Sequence, residues 1–206
     1  MKNKRKINAL HNSASFSLFV TSYAPLFFLI IFKQVYENIQ FLSWGGLNSA
    51  SITIFIERFG LSTILLMIGV VGIYGTYKTL SNIHERAKNG FQVEITDLKN
   101  RNSEAINYIA TYIIPFAFQS FDSWLDLISI LTIIFIVYRI YISSSLILVN
   151  PMLSFKYGLF EIEYEENGKI RSAFLISRDK YISENQKVLL YEVGHKMYYS
   201  IKPKSK

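Results

Sequence analysis

Two carboxylates, Asp122 and Asp126, stand four residues apart between two apolar runs, and one cation, Arg139, lies inside the second run. Asp122 and Asp126 have two readings: an acidic ring at a pore mouth if chains assemble, or a solvated turn, where Asp is common. Arg139 is costly inside an apolar helix, so it must face a bundle interior, find a partner, or extend its stem to lipid phosphates. The histidines, His11, His84 and His195, are scattered without ligand spacing, which gives metal binding no support. There is no cysteine, so thiolate catalysis, disulfides and iron–sulfur clusters are excluded. Neither a P-loop nor a G-x-S-x-G, H-E-x-x-H or dinucleotide fingerprint occurs. The expectation is therefore no catalytic residue, no cofactor and no metal, in a protein that is not an enzyme.

Those charges lie in an unusually apolar chain. Of its 206 residues half are hydrophobic and 16% aromatic, with a mean hydropathy of +0.23. Such a balance suggests a membrane protein. A helix needs about 20 apolar residues to cross the hydrocarbon core, and four runs approach that length, at about 14–32, 57–78, 105–121 and 127–149. The predicted fold class is an α-helical polytopic membrane protein. Residues 1–150 would form a four-helix transmembrane domain and residues 151–206 a small cytoplasmic β-rich domain.

Within the helices, Pro25 should kink the first, serving either packing geometry or a gating hinge. Gly69, Gly72 and Gly75 place small residues on one face of the second, suited to an oligomer contact, a pore seam or packing within one chain. With Pro115 in the third helix, the candidate pore or topology residues are Pro25, Gly69, Gly72, Pro115, Asp122, Asp126 and Arg139.

Topology follows from where the basic residues fall. Of 22 Lys and Arg, four precede the first helix, five lie in the loop 78–104 and ten follow Pro151, whereas the two other connections hold only Lys33 and Arg58. By the positive-inside rule both termini and the 78–104 loop are cytoplasmic. The net charge of +7 is thus used by topology, and no direct nucleic-acid binding is expected.

After Pro151 the period changes. Residues 159–164 (LFEIEY) and 170–177 (IRSAFLIS) flank Asn167-Gly168, a β-hairpin signal. Residues 187–193 and 196–201 read as a second pair. Four or five short strands predict a small barrel or half-open sheet that docks a partner, with Phe160, Ile162, Tyr164, Tyr191 and Tyr198 as its candidate contacts.

The segments NSEAINYIATYIIP (102–115), SSLILVNPML (144–153) and YGLFEIEY (157–164) resemble the membrane subunit of the Kiwa anti-phage defence system, the KwaA family. The resemblance covers about the second half of the chain and the four-helix plan. It implies a multi-pass protein of the bacterial inner membrane, in contact with its lipids, that assembles into a homo-oligomer. It also implies sensing of envelope perturbation and a cytoplasmic DNA-binding partner of the KwaB type held at the membrane. On the residues alone a small oligomeric channel or pore-forming effector stays open, whereas the lack of a polar cluster within the apolar runs argues against an enzyme of lipid or peptidoglycan metabolism.

Overall fold

A computed structural model describes residues 10–43, 45–108, 124–143, 150–166, 168–194 and 196–202. Helix α1 (Asn12–Ser22) and helix α2 (Ala24–Glu37) meet at a bend of 51°. The bend falls at Tyr23, with Pro25 in the first turn of α2. Proline is tolerated there because the first N–H groups of a helix have no internal partner anyway. The expected kink in the first helix is thus a break between two helices.

A 3-10 turn (Ile39–Phe41) leads to helix α3 (Ser49–Ala87), whose N-terminus Asn48 caps by accepting a hydrogen bond from the Ser51 amide at 2.8 Å. At 39 residues α3 is about 58 Å long. It runs back along α1 and α2. Gly72 makes the approach to α1 close: an added Cβ there would sit 2.7 Å from Val20 Cβ, and one at Gly75 2.9 Å from Ser17 Cβ. A buried polar link adds to it, because the Thr21 hydroxyl donates to the Ser17 carbonyl and lies 2.8 Å from the Thr76 hydroxyl.

Strand β1 (Phe91–Asn100) comes next, followed by α4 (Ser103–Tyr108), α5 (Trp124–Ser143) and the short α6 (Pro151–Ser154). Strands β2 (Gly158–Glu166), β3 (Lys169–Ser177), β4 (Lys187–Gly194) and β5 (Met197–Ile201) complete a closed barrel in the order β1-β2-β3-β5-β4. All pairs are antiparallel except β3 with β5. This is a five-stranded Greek-key closure of the kind found in OB-type barrels. Glu166 pairs with Lys169 at the end of the β2–β3 ladder, and Gly168 just before it has φ +72°, a conformation glycine adopts without strain.

The strands alternate, apart from irregularities between Ile95 and Asp97 and between Glu192 and Gly194. Val93, Ile95, Phe160, Ile162, Leu175, Val188 and Leu190 fill the barrel. At the helix-proximal end the opposite face is buried too: Leu159, Ile176, Val193, Met197 and Tyr199 pack against Leu18, Leu80 and Ala87. Helix α5 joins this second core through Tyr141, whose ring lies 5.4 Å from that of Phe19.

The four-helix transmembrane fold is overturned. Among the described residues α3 alone is long and apolar enough to cross a membrane, or two spans exist if the bent α1–α2 pair counts as one. The third expected helix, 105–121, lies outside the described residues apart from its first turn in α4, and the fourth is described only as α5. Five strands make the chain a mixed α and β protein. The loop 78–104 is no loop: its first part continues α3 and its second is β1. FQVEIT alternates as a strand should, but Lys99 further along β1 was counted as a loop charge for topology.

Candidate docking barrel and the collar beneath the helices

The barrel sorts the docking residues expected from sequence. Phe160, Ile162, Tyr164 and Tyr198 lie in its interior, and Tyr191 is half-buried beside the helices. Apolar residues of an alternating strand are the ones the fold buries, so an approaching protein meets the other half of each strand. Tyr164 and Tyr198 join by hydroxyls 3.3 Å apart, with burial pushing the Tyr164 phenol well above its ordinary pKa.

The outward half is charged. On β1 and β2, Glu94, Asp97, Glu161, Glu163 and Glu165 stand with the one cation Lys99. Asp97 is directly opposite Glu163, a like-charge pairing that weakens the sheet, whereas Lys99 faces Glu161. Arg101 gathers the lower end: its Nη2 donates to Glu161 at 2.6 Å and its Nη1 to Glu104 at 3.0 Å, which holds the guanidinium pKa above its usual value. At the start of β3, Lys169, Ile170 and Arg171 are exposed, and Arg171 pairs with Glu166 at 2.9 Å.

Two asparagines that sequence reasoning passed over fasten the connections that run between barrel and helices. Buried Asn150 donates from Nδ2 to the Leu18 carbonyl at 2.9 Å, while its Oδ1 caps α6 by accepting from the Met152 amide at 3.0 Å. Asn102 Oδ1 accepts from the Leu159 amide at 2.9 Å. The signals were present as Asn-Pro and Asn-Ser at element starts.

Around the foot of α3 lies a collar of basic residues. One cavity of about 500 Å³ is lined by His11, Lys78, Arg86 and Glu192; another of about 230 Å³, on a different wall of the helix, is lined by His84, Lys156 and Arg178. His84 Nδ1 is 3.1 Å from the Tyr199 hydroxyl. Tyr199, buried in the joint, has its pKa pushed up to about 12 by desolvation first and by Tyr157 second.

Of the remaining sequence candidates, Gly69 and Gly72 face α2 and α1 within the chain. Arg139 is exposed on α5. Asp126 belongs to α5, while Asp122 and Pro115 lie outside the described residues. Among the described residues no three of His, Asp and Glu gather in a metal-binding group.

Taken together this is a small protein in which long apolar helices carry a Greek-key barrel by a shared core. The family described as anti-phage protein KwaA matches residues 14–199, and the chain belongs to that family. Its role is in defence against phage, within a defence complex that includes partner proteins. No curated protein and no solved structure is significantly similar to it.

Proposed function

We propose that the chain is the membrane-held subunit of its defence complex, docking a cytoplasmic DNA-binding partner of the KwaB type on its barrel and reporting disturbance of the envelope to it. One observation carries the membrane reading: only 11% of the most apolar stretch of α3 is buried. Its outward positions, among them Ile64, Leu66, Val70, Val71 and Ile73, form an exposed apolar wall, and α2 adds Phe28 and Phe32. A soluble protein does not leave such a surface to water. Residues 59–77 carry no charge and at 1.5 Å each measure about 28 Å, close to the hydrocarbon thickness of about 30 Å.

The basic collar and the barrel lie beyond Tyr77, on the side that the distribution of Lys and Arg assigns to the cytoplasm. Helix α1 starts at the same level, since Leu10 and His11 share a cavity wall with Tyr191 and Glu192 of β4. The helices thus form a rigid lever: a shift between α1 and α3 reaches the barrel through Leu18, Leu80 and Tyr199.

The barrel's outward β1–β2 face is acidic, which repels nucleic-acid phosphates and suits a partner with a basic face. The Asp97/Glu163 pairing, eased on one side by Lys99 at 3.9 Å from Asp97, is where such a partner gains most. DNA would then be engaged by the partner, and this chain's part is binding rather than catalysis.

The test is gentle extraction of the tagged chain from its native cell, for the wild type and for Asp97→Lys/Glu163→Lys. The wild type should bring down a soluble DNA-binding partner from the same defence system, and the double variant should not, though it stays in the membrane. A chain that purifies without any partner and conducts ions in liposomes would replace the scaffold reading with a channel.

A further inference from the structure

We propose that the 230 Å³ cavity beside α3 is a binding site for the phosphate headgroup of an anionic phospholipid. The proposal rests on the reading that α3 crosses a membrane, and it names what the collar beneath that span holds. Lys156 and Arg178 come from two separate connections, one after α6 and one after β3, and converge with His84 of α3 on one cavity. Among the described residues no carboxylate lines the cavity, and neither Lys156 nor Arg178 makes an ion pair. The nearest acid in sequence, Asp179, is taken by Lys202 at 3.4 Å. Convergent cations without counter-charge are stabilised by an anion from outside the chain.

The cavity's second wall selects a lipid over a free anion. Leu80 and Met152 line it beside Ser81 and Tyr77, so an apolar slope runs into a polar end. Its depth fits as well. Tyr77 ends the uncharged run of α3, and His84 is seven residues further, about 10 Å along the axis. The headgroup layer occupies roughly that interval beyond the hydrocarbon core. Exposed aromatics mark the same level, with Tyr74 and Tyr77 on α3 and Phe155 next to Lys156. Basic pockets between helices at the cytoplasmic surface are a recurrent way of holding anionic headgroups. The cavity across α3 is larger, but Glu192 shares its wall with Lys78 and Arg86, which makes it the poorer anion site.

The test compares the full chain with Lys156→Gln/Arg178→Gln and with the charge-keeping Lys156→Arg/Arg178→Lys. Each is mixed in detergent with equimolar phosphatidylglycerol and phosphatidylcholine, and retained lipid is counted by native mass spectrometry. Wild type and charge-keeping variant should retain phosphatidylglycerol in preference, and the Gln variant should lose that preference roughly tenfold or more. Equal retention of the two lipids by wild type, or an unchanged preference in the Gln variant, would overturn the site. Displacement of the lipid by millimolar inorganic phosphate would assign the cavity to a soluble anion and overturn the lipid. Carbonate washing of cell membranes separates the underlying reading: release of the wild type defeats the membrane assignment itself, whereas retention with no lipid preference defeats only the site.

Discussion

Replacing Gly72 by Ala sets two effects of known size against each other. Alanine favours a helix interior over glycine by about 1 kcal/mol. At Gly72, however, the new methyl would lie 2.7 Å from Val20 Cβ, almost an ångström inside normal contact. Neither Val20 nor the α1 backbone behind it is a flexible chain end, so α1 must move off α3. Overpacking of this kind costs roughly 1–3 kcal/mol. The clash should win, leaving Gly72→Ala neutral to about 2 kcal/mol less stable. Gly60 on the same helix is the control, because a Cβ there meets nothing closer than Ile56 Cγ2 at 3.7 Å. Gly60→Ala should therefore gain up to about 1 kcal/mol from propensity alone. Thermal unfolding of both variants in one detergent, followed by far-ultraviolet circular dichroism, reads the two signs side by side. If Gly72→Ala stabilises as much as Gly60→Ala, α1 does not pack on Gly72 and the small-residue stripe serves a contact between chains instead.

Further expectations concern the joint between helices and barrel. Asn150→Ala removes the cap of α6 and the side-chain donor to the Leu18 carbonyl, for a loss of about 1–3 kcal/mol; denaturant unfolding checks this, and a loss below about 0.5 kcal/mol would refute the tie. Tyr199 holds its proton to about pH 12 in the folded chain and to 10.0 when free. Its contribution to stability is therefore full below pH 10 and drains away as pH rises from 10 to 12. Melting temperature against pH should fall across that window, and Tyr199→Phe should shallow the fall.

Much of the barrel was legible because strand periodicity is local. The runs 159–164, 170–177, 187–193 and 196–201 lie within β2 to β5 or within a residue of them, and Asn167-Gly168 marked where β2 gives way to β3. β1 was not legible in the same way. Its partners β2 and β4 are far along the chain, and Glu94, Asp97 and Lys99 made it look like a solvated connection. The count of membrane spans failed because apolar composition does not say where a helix breaks or continues: α1 and α2 part at Tyr23, while α3 runs ten residues past Tyr77 to meet the barrel. Of the docking candidates, Phe160, Ile162, Tyr164 and Tyr198 belong to the half of the strands that closure of the barrel turns inward, while Tyr191 packs beside the helices. The collar was invisible in sequence, since Lys156, Arg178 and His84 are brought together only by the fold.

If α3 crosses a membrane, it holds the barrel at that membrane's inner face. The chain has no cysteine of its own, so single introduced thiols report location without background. Leu47, just before α3, is 85% exposed and Tyr181, in the β3–β4 connection, is 91% exposed. In cells opened only at the outer membrane, a maleimide that cannot cross the inner membrane should label Leu47→Cys, and should reach Tyr181→Cys only after that membrane is broken. Labelling of both before it is broken, or of neither, would contradict the account.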